Sequence, residues 1–332
     1  MHPQLVALAV GRLGVFTGQE ALKVGYRVED IRVELRTGRW SRLRKGIYIA
    51  TQDLAAADDR ERHLIECAAV LLSLGSGPVL SHASAARVHE LILPWRYASE
   101  VRLSADDQWR RGRGYRVAQA AITADEVQPW LQFGVLSVPR TLVDCAREWS
   151  LTDGVIAIDA ALHEQKVTRD ELVRAVLAGA HRPGIAQAAR ALGLADGRAE
   201  SPLETRGRLA LLASGLPRPE LQVEIRDAGG LIGRVDGWYE EAAVAVEFDG
   251  RVKYTDPRYG SSPGEVLWKE KRREDQMRAL GIRVVRVVND DLGPPWPSMA
   301  GRIGGLLATP YVGPRRFRAV RTDEPGGASD AA

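Results

Sequence analysis

Cysteine is almost missing from this sequence: Cys67 and Cys145 are the two in 332 residues. Two thiols build neither a disulfide framework nor a cysteine-based zinc cluster, and each reads as a buried apolar residue in a reducing compartment. Long apolar runs are missing too. None approaches the roughly 20 residues needed to cross a bilayer, and residues 5–10, closed off by Gly11-Arg12, are too short for the apolar core of a secretion signal. These gaps predict a cytoplasmic protein with no membrane partner. No internal repeat punctuates the chain. Charge of one sign is likewise absent, since Lys and Arg total 46 against 43 Asp and Glu, a net of +3. A balance so near zero says little until its distribution is read.

What remains is ordinary globular material, 45% apolar and 27% charged, long enough for about two domains. Helix and strand signals alternate, which predicts an α/β chain, a multi-domain α+β arrangement. Composition marks four regions. Residues 1–54 are short and helix-patterned, with basic residues gathered late. Residues 55–198 form an Ala-rich α/β middle region. Residues 199–310 hold a helix, three β-branched runs, a charged helix, a further strand and one short helix after Pro294-Pro295-Trp296-Pro297. Residues 311–332 read as a basic, then disordered, tail.

The first region has a helix-turn-helix rhythm. Leu5, Leu8, Ala9 and Leu13 mark one amphipathic helix. Thr17 and Glu20 form a capping box for a second, and Ile31 and Leu35 mark a third ending at Gly38. Trp40, Leu43, Ile47 and Ile49 then suggest a two-stranded wing turning near Arg44-Lys45-Gly46. That is the order of a winged helix. Between residues 27 and 45 seven basic residues face three acidic ones, a local excess larger than the net charge of the whole chain. Arg32, Arg36 and Arg39 share one face of the third helix and its end, and Arg42 and Arg44, with Lys45, line the wing. A helix in the major groove with a basic wing over the phosphates needs this layout, so DNA is the expected partner. A solvated basic face on a small packing domain remains the alternative.

Two segments of the middle region look chemical but read as architecture. In Ser81-His82-Ala83-Ser84 a serine stands where a helix begins, an N-cap position, and no acid is placed by sequence to orient His82. Val138-Pro139 opens one helix and the Thr168 to Glu171 capping box another.

The third region is the most informative. If the turn between its second and third strands centres on Glu240-Glu241, Asp236 faces Ala245, Glu247 lies one diagonal step along, and Asp236, Glu247 and Asp249 share a sheet face. Crowded carboxylates need positive compensation. A divalent cation such as Mg²⁺ supplies it, taking a few carboxylate oxygens together with water and substrate phosphate. The alternating Val244, Val246 and Phe248 are left to pack against a helix. Each acid also has a plainer reading. Glu204 completes a Ser-x-x-Glu capping box, Asp236 ends a strand, and Glu247 pairs with Arg234 across the hairpin.

Residues 199–292 resemble the PD-(D/E)XK nuclease superfamily, in the branch similar to very-short-patch-repair endonucleases. The resemblance rests on Glu204 in Ser201-Pro202-Leu203-Glu204-Thr205-Arg206, Asp236 in Gly233-Arg234-Val235-Asp236, Glu247-Phe248-Asp249-Gly250, and Asp275, Leu280-Gly281 and Arg286. It implies a restriction-endonuclease-like mixed sheet flanked by helices and metal-dependent phosphodiester cleavage. Asp236 and Glu247 would be the Mg²⁺ ligands, with Asp249 and Glu204 completing the catalytic cluster. The family's Lys two residues after the Glu is replaced by Asp249, and the usual His gives way to Arg251-Val252-Lys253-Tyr254. Lys253, or Lys269 and Lys271 on the next helix, then stands as the source of positive charge.

Much of residues 4–150 resembles AbiEi-type antitoxins. The matching stretches include Gly14-Val15-Phe16-Thr17, Arg39-Trp40-Ser41-Arg42-Leu43-Arg44-Lys45-Gly46, Leu80-Ser81-His82-Ala83-Ser84 and Pro139-Arg140-Thr141-Leu142. This implies a winged helix that binds operator DNA and represses its own operon, with a nucleotidyltransferase-type toxin as partner. Two functions are therefore expected to compete, a DNA-binding Mg²⁺-dependent endonuclease and a non-catalytic transcriptional autoregulator or antitoxin. An interaction protein without DNA is the third.

Overall fold

The computed structural model describes residues 1–97, 100–250 and 263–321. Both of its compact units mix helices with sheets, as the α+β patterning predicts. The first unit comprises Met1–Ala157 and Val167–Leu192, the second Ile158–Lys166 and Gly193–Ala332.

The first unit opens with α1 (Pro3–Val10), β1 (Phe16–Thr17), α2 (Gly18–Lys23), α3 (Val28–Arg36), β2 (Trp40–Arg44) and β3 (Ile47–Ala50). The capping box at α2 forms as predicted. Glu20 N donates to Thr17 Oγ1 at 3.2 Å, and Thr17 N donates to the Glu20 carboxylate at 2.8 Å. Leu5, Ala9, Phe16, Ile31, Trp40 and Tyr48 make the core, with the Phe16 and Trp40 rings edge to face at 4.7 Å. The predicted stripe on α1 is shortened. Leu8 is exposed, and Leu13 lies beyond the helix at φ 58°. The three strands order β1-β3-β2, which makes β2 and β3 the wing.

There follow α4 (Thr51–Ala56), α5 (Asp59–Leu74), β4 (Val79–Leu80), α6 (His82–Val88), β5 (Val101–Ala105), β6 (Arg110–Gly112), β7 (Tyr115–Gln119), β8 (Val127–Trp130), β9 (Phe133–Leu136), α7 (Val138–Glu148), α8 (Leu151–His163), α9 (Arg169–Ala178) and α10 (Ile185–Leu194). The strands form a six-stranded mixed sheet, β6-β7-β5-β4-β9-β8. Val70 and Leu71 of α5 pack on Leu80, Leu103, Val117 and Val135. Ser81 takes the N-cap position of α6, but its hydroxyl does not cap the helix. It lies 2.9 Å from His82 Nδ1 instead, and His82 Nε2 stands 3.2 Å from Glu148, the acid that sequence had not supplied. Arg102 holds that carboxylate from the other side at 2.8 and 2.9 Å. Ser81 and His82 are both buried, so this is a closed structural network rather than a reactive site.

The second unit continues with α11 (Pro202–Ala213), β10 (Glu220–Asp227), β11 (Gly230–Tyr239), β12 (Val244–Asp249), α12 (Pro263–Ala279), β13 (Arg283–Val288), α13 (Trp296–Leu307) and β14 (Arg318–Arg321). Its sheet runs β13-β12-β11-β10-β14, with β12 and β13 parallel and the other neighbours antiparallel. Val244, Val246 and Phe248 pack with Leu211 of α11 and Ile303 of α13, as their alternation predicts. Gly207 sets the distance of α11 from β12, because a Cβ there would stand 1.9 Å from the Phe248 ring. The edge strand β14 was not anticipated. The sequence places Arg318 in a basic tail, yet residues 318–321 pair with β10 and Phe317 is buried.

Candidate functional site

The carboxylates of Glu204, Asp236, Glu247 and Asp249 line one cleft of about 390 Å³ in the second unit, together with Arg234, Arg273 and Arg286. Each acid arrives on a different part of the scaffold. Glu204 sits in the first turn of α11, where its amide donates to Ser201 Oγ at 3.2 Å. Its carboxylate accepts from Ser201 Oγ at 2.8 Å, from Glu200 N at 2.9 Å and from Gln222 Nε2 at 2.9 Å. Glu204 thus lines the cleft but completes only half of the expected capping box, since its carboxylate takes the Glu200 amide and not that of Ser201.

Asp236 and Glu247 meet through the antiparallel pairing of β11 with β12. The observed partners are Gly237 with Val246, Trp238 with Ala245 and Tyr239 with Val244. The expected register, Asp236 against Ala245, is off by two residues. The connecting turn is longer than a two-residue hairpin, with Ala243 at φ 45° and its amide donating to Glu240 O at 3.2 Å. A shift of two preserves side-chain parity, so the acids still reach a common site. Extending the ladder by one step sets Asp236 opposite Glu247. The backbone ladder stops short of this pair, and Phe248 N donates to Asp236 Oδ2 at 2.7 Å, so a carboxylate takes the place of a ladder carbonyl.

The charge balance is strained toward the negative. Burial raises the pKa of Glu204, and the charge of Asp236 raises it further, against hydrogen bonds from Glu200 and Ser201. Burial also raises that of Glu247; Arg273 and Arg286 pull it down while Asp236 pushes it up. Two buried carboxylates that feel a third are the electrostatic signature of crowded acids.

The positive charge comes from Arg273 and Arg286, to neither of which the sequence assigned that role. Arg273 of α12 places Nη2 2.7 Å from Glu247 Oε1 and donates through Nη1 to Arg234 O at 2.9 Å. Its stem crosses Gly233, where a Cβ would lie 2.5 Å from Arg273 Cδ. Arg286 pairs with Glu247 because parallel β12 and β13 set the two residues side by side; it lies 3.6 Å from Glu247 and 3.6 Å from Asp249. Arg234 does not pair with Glu247 as expected, but with Glu200 at 2.7 Å. Lys253, the proposed lysine substitute, lies outside the described residues, and Lys271 is exposed on α12. The one local signal for Arg273 is the charged stretch Lys269-Glu270-Lys271-Arg272-Arg273, which reads equally as a solvated helix face.

Among the described residues, no three His, Cys, Asp or Glu side chains converge at the spacing of a metal site. Mg²⁺ does not ask for three. It is commonly held by one or two carboxylates, with waters and substrate phosphate completing its shell. The hard oxygen donors of Asp236 and Glu247, in a cleft lined by six acidic residues and three arginines, fit that requirement. Arg273 and Arg286 compete with a cation for the Glu247 oxygens.

In the first unit, Arg32, Arg36, Arg39, Arg42 and Lys45 are exposed. Arg39 makes two bonds of 2.7 Å to Glu34, and Arg32 lies 3.9 Å from Glu29. Such exposed pairs are weak and exchange readily for phosphate. Arg44 departs from expectation. A β-bulge between Arg42 and Arg44 breaks the alternation that was to put both on one face. Arg44 turns inward to pair with Glu66 of α5, leaving Arg42 and Lys45 as the wing's outward charges.

No family model matches the chain. Among the curated proteins, two uncharacterized proteins from strains of Mycobacterium tuberculosis, Rv2248 and MT2308, each share 35% identity with it over 167 residues, 50% of this chain. The match spans 59% of the length of those relatives. Among solved structures, the RV2827C protein of Mycobacterium tuberculosis aligns over 58% of this chain and 78% of its own at 17% identity. Its TM-score of 0.38 is too low to carry a fold argument. Among the described residues, no helix is long and apolar enough to cross a membrane.

Proposed function

We propose that this protein binds DNA through its winged helix and hydrolyses phosphodiester bonds at the acidic cleft with Mg²⁺. The observation that carries the proposal is the meeting of Asp236 and Glu247 in one cleft, where Asp236 raises the proton affinity of both Glu204 and Glu247. Asp236 and Glu247 would hold the metal. When bound, the ion supplies a water-activating, charge-offsetting centre for phosphodiester hydrolysis. The chain's own part is to position and to neutralise. Glu204, fixed by Ser201, Gln222 and the Glu200 amide, keeps a carboxylate at the cleft wall. Arg273 and Arg286 hold Glu247 in the free protein and offer their guanidinium forks to the nonbridging oxygens of the substrate. Asp249 keeps Arg286 close to the cleft.

Incubation with supercoiled plasmid and Mg²⁺ tests this. Nicking is expected in Mg²⁺, none in excess chelator, and a loss of at least about 100-fold in Asp236→Asn and in Glu247→Gln. Unchanged nicking in both variants would overturn the assignment.

A second reading draws on the ion pairs of Glu247. With Arg273 and Arg286 already neutralising it, the cleft is stable without a metal, and the protein would act as a non-catalytic DNA-binding autoregulator or antitoxin of a nucleotidyltransferase-type toxin. Tight DNA binding with no cleavage under any divalent cation would favour it.

A further inference from the structure

We propose that the β6–β7 hairpin is a second DNA-contacting element, one that grips the phosphate backbone beside the winged helix; this rests on the reading of the winged helix as a DNA binder. The hairpin carries Arg110, Arg111 and Arg113, all exposed, within four residues. Arginines on an edge strand are also an ordinary guard against edge-to-edge aggregation. What sets this hairpin apart is its attachment to the wing. Arg44, withdrawn from the wing's outer face, donates from Nη1 to Arg113 O at 3.1 Å, and its guanidinium lies 5.3 Å from the centre of the Tyr115 ring. The inward turn of Arg44 thus ties the hairpin to the wing instead of wasting a charge.

The join creates a hollow of about 580 Å³ whose walls include Arg42 and Lys45 from the wing and Arg113 from the hairpin. Its acid, Glu66, is taken by Arg44. Among the described residues, Arg42, Lys45 and Arg113 have no ion-pair partner. Three such cations around one hollow form a positive track from the wing to the hairpin, and the exposed Arg110 and Arg111 of edge strand β6 add a charge on each face of the strand beside it. A polyanion with regularly spaced charges matches that track; a single small anion would leave most of it unused. Double-stranded DNA, already engaged by α3 and the wing, brings its flanking phosphates to it.

The test uses the full chain and mixed-sequence duplexes of two lengths, one just long enough for a winged helix and one about twice as long, titrated by fluorescence anisotropy across a salt series. Replacing Arg110, Arg111 and Arg113 together by Ala removes exposed side chains only, and the Arg113 carbonyl that anchors Arg44 stays. On the long duplex this variant is expected to bind about ten-fold more weakly, with the slope of log K against log salt reduced by about two to three. On the short duplex it should match the wild type. Equal affinity and slope on both duplexes would overturn the proposal while leaving the winged helix intact. If Arg36→Ala with Arg42→Ala leaves binding unchanged, the winged-helix reading fails separately, and the hairpin proposal falls with it.

Discussion

Asp236 occupies a position that folding alone would not choose. Its carboxylate takes the Phe248 amide in place of a backbone carbonyl and sits close enough to Glu204 and Glu247 to raise the pKa of both. Asparagine keeps an oxygen acceptor for Phe248 but removes the charge. For Glu204 and Glu247 the folded pKa is raised above the unfolded one, so each weighs against folding once pH rises through its ordinary range, and Asp236 makes this worse. Asp236→Asn is therefore expected to abolish the proposed cleavage and yet stabilise the protein by about 1 kcal/mol at pH 7. Thermal melts at pH 7 check it; a lower melting temperature would mean that the acids are not in conflict. Arg273 invites the converse test. Arg273→Met leaves the buried Glu247 with only the more distant Arg286, and a further rise in the Glu247 pKa is expected in carboxylate titrations followed by NMR.

Among the elements, α11 and the wing are placed by details that periodicity does not reveal. Gly207 lets α11 lie against the Phe248 ring, and this contact brings Glu204 to the cleft. Gly207→Ala puts a methyl group where the ring already is. A loss of about 1–3 kcal/mol is expected from overpacking, with weakened cleavage because Glu204 is carried outward. Denaturant melts and nicking rates measured on the same preparation check both halves. The capping boxes at α2 and α9 were legible in the sequence because Thr17 with Glu20 and Thr168 with Glu171 are settled within four residues. The two-residue register error at β11–β12 arose because Ala243 enters the left-handed region, which no glycine or asparagine announces. Arg44 is equally unannounced, since its inward turn follows from a bulge and from a glutamate on α5.

At the scale of the whole molecule, the α+β class, the acidic residues of the cleft and the basic wing could be read from local pattern. Arg273 could not, since it reaches Glu247 only once the crossover helix packs over the sheet. The edge strand β14 was hidden for a similar reason, because its pairing to β10 spans most of the second unit. The two units also carry opposite acid chemistry. In the second, burial pushes Asp159 up to about 6 against the pull of Arg208, and Glu204 and Glu247 are raised too, although Asp196 is lowered. In the first, burial works against Glu148 and Asp144, yet hydrogen bonds and nearby cations hold both below the usual carboxylate range. A raised carboxylate disfavours folding as pH climbs through the window between its unfolded and folded pKa. A lowered one stabilises above its unfolded pKa and loses that support as pH falls toward the folded value. Lowering the pH from 7 to 5 is thus expected to stabilise the second unit, with Asp159 contributing about 2–3 kcal/mol between pH 6 and 4. Below pH 4 the first unit should weaken. Calorimetry over this range should resolve two transitions that move in opposite directions, and transitions that move together would contradict the assignment.

The metal assignment is tested most directly by titrating Mg²⁺ calorimetrically into the DNA-free full-length protein, for the wild type beside Asp236→Asn and Glu247→Gln. Saturable binding by the wild type that is lost in both variants is the predicted result. Binding of equal strength and stoichiometry in all three proteins would contradict it.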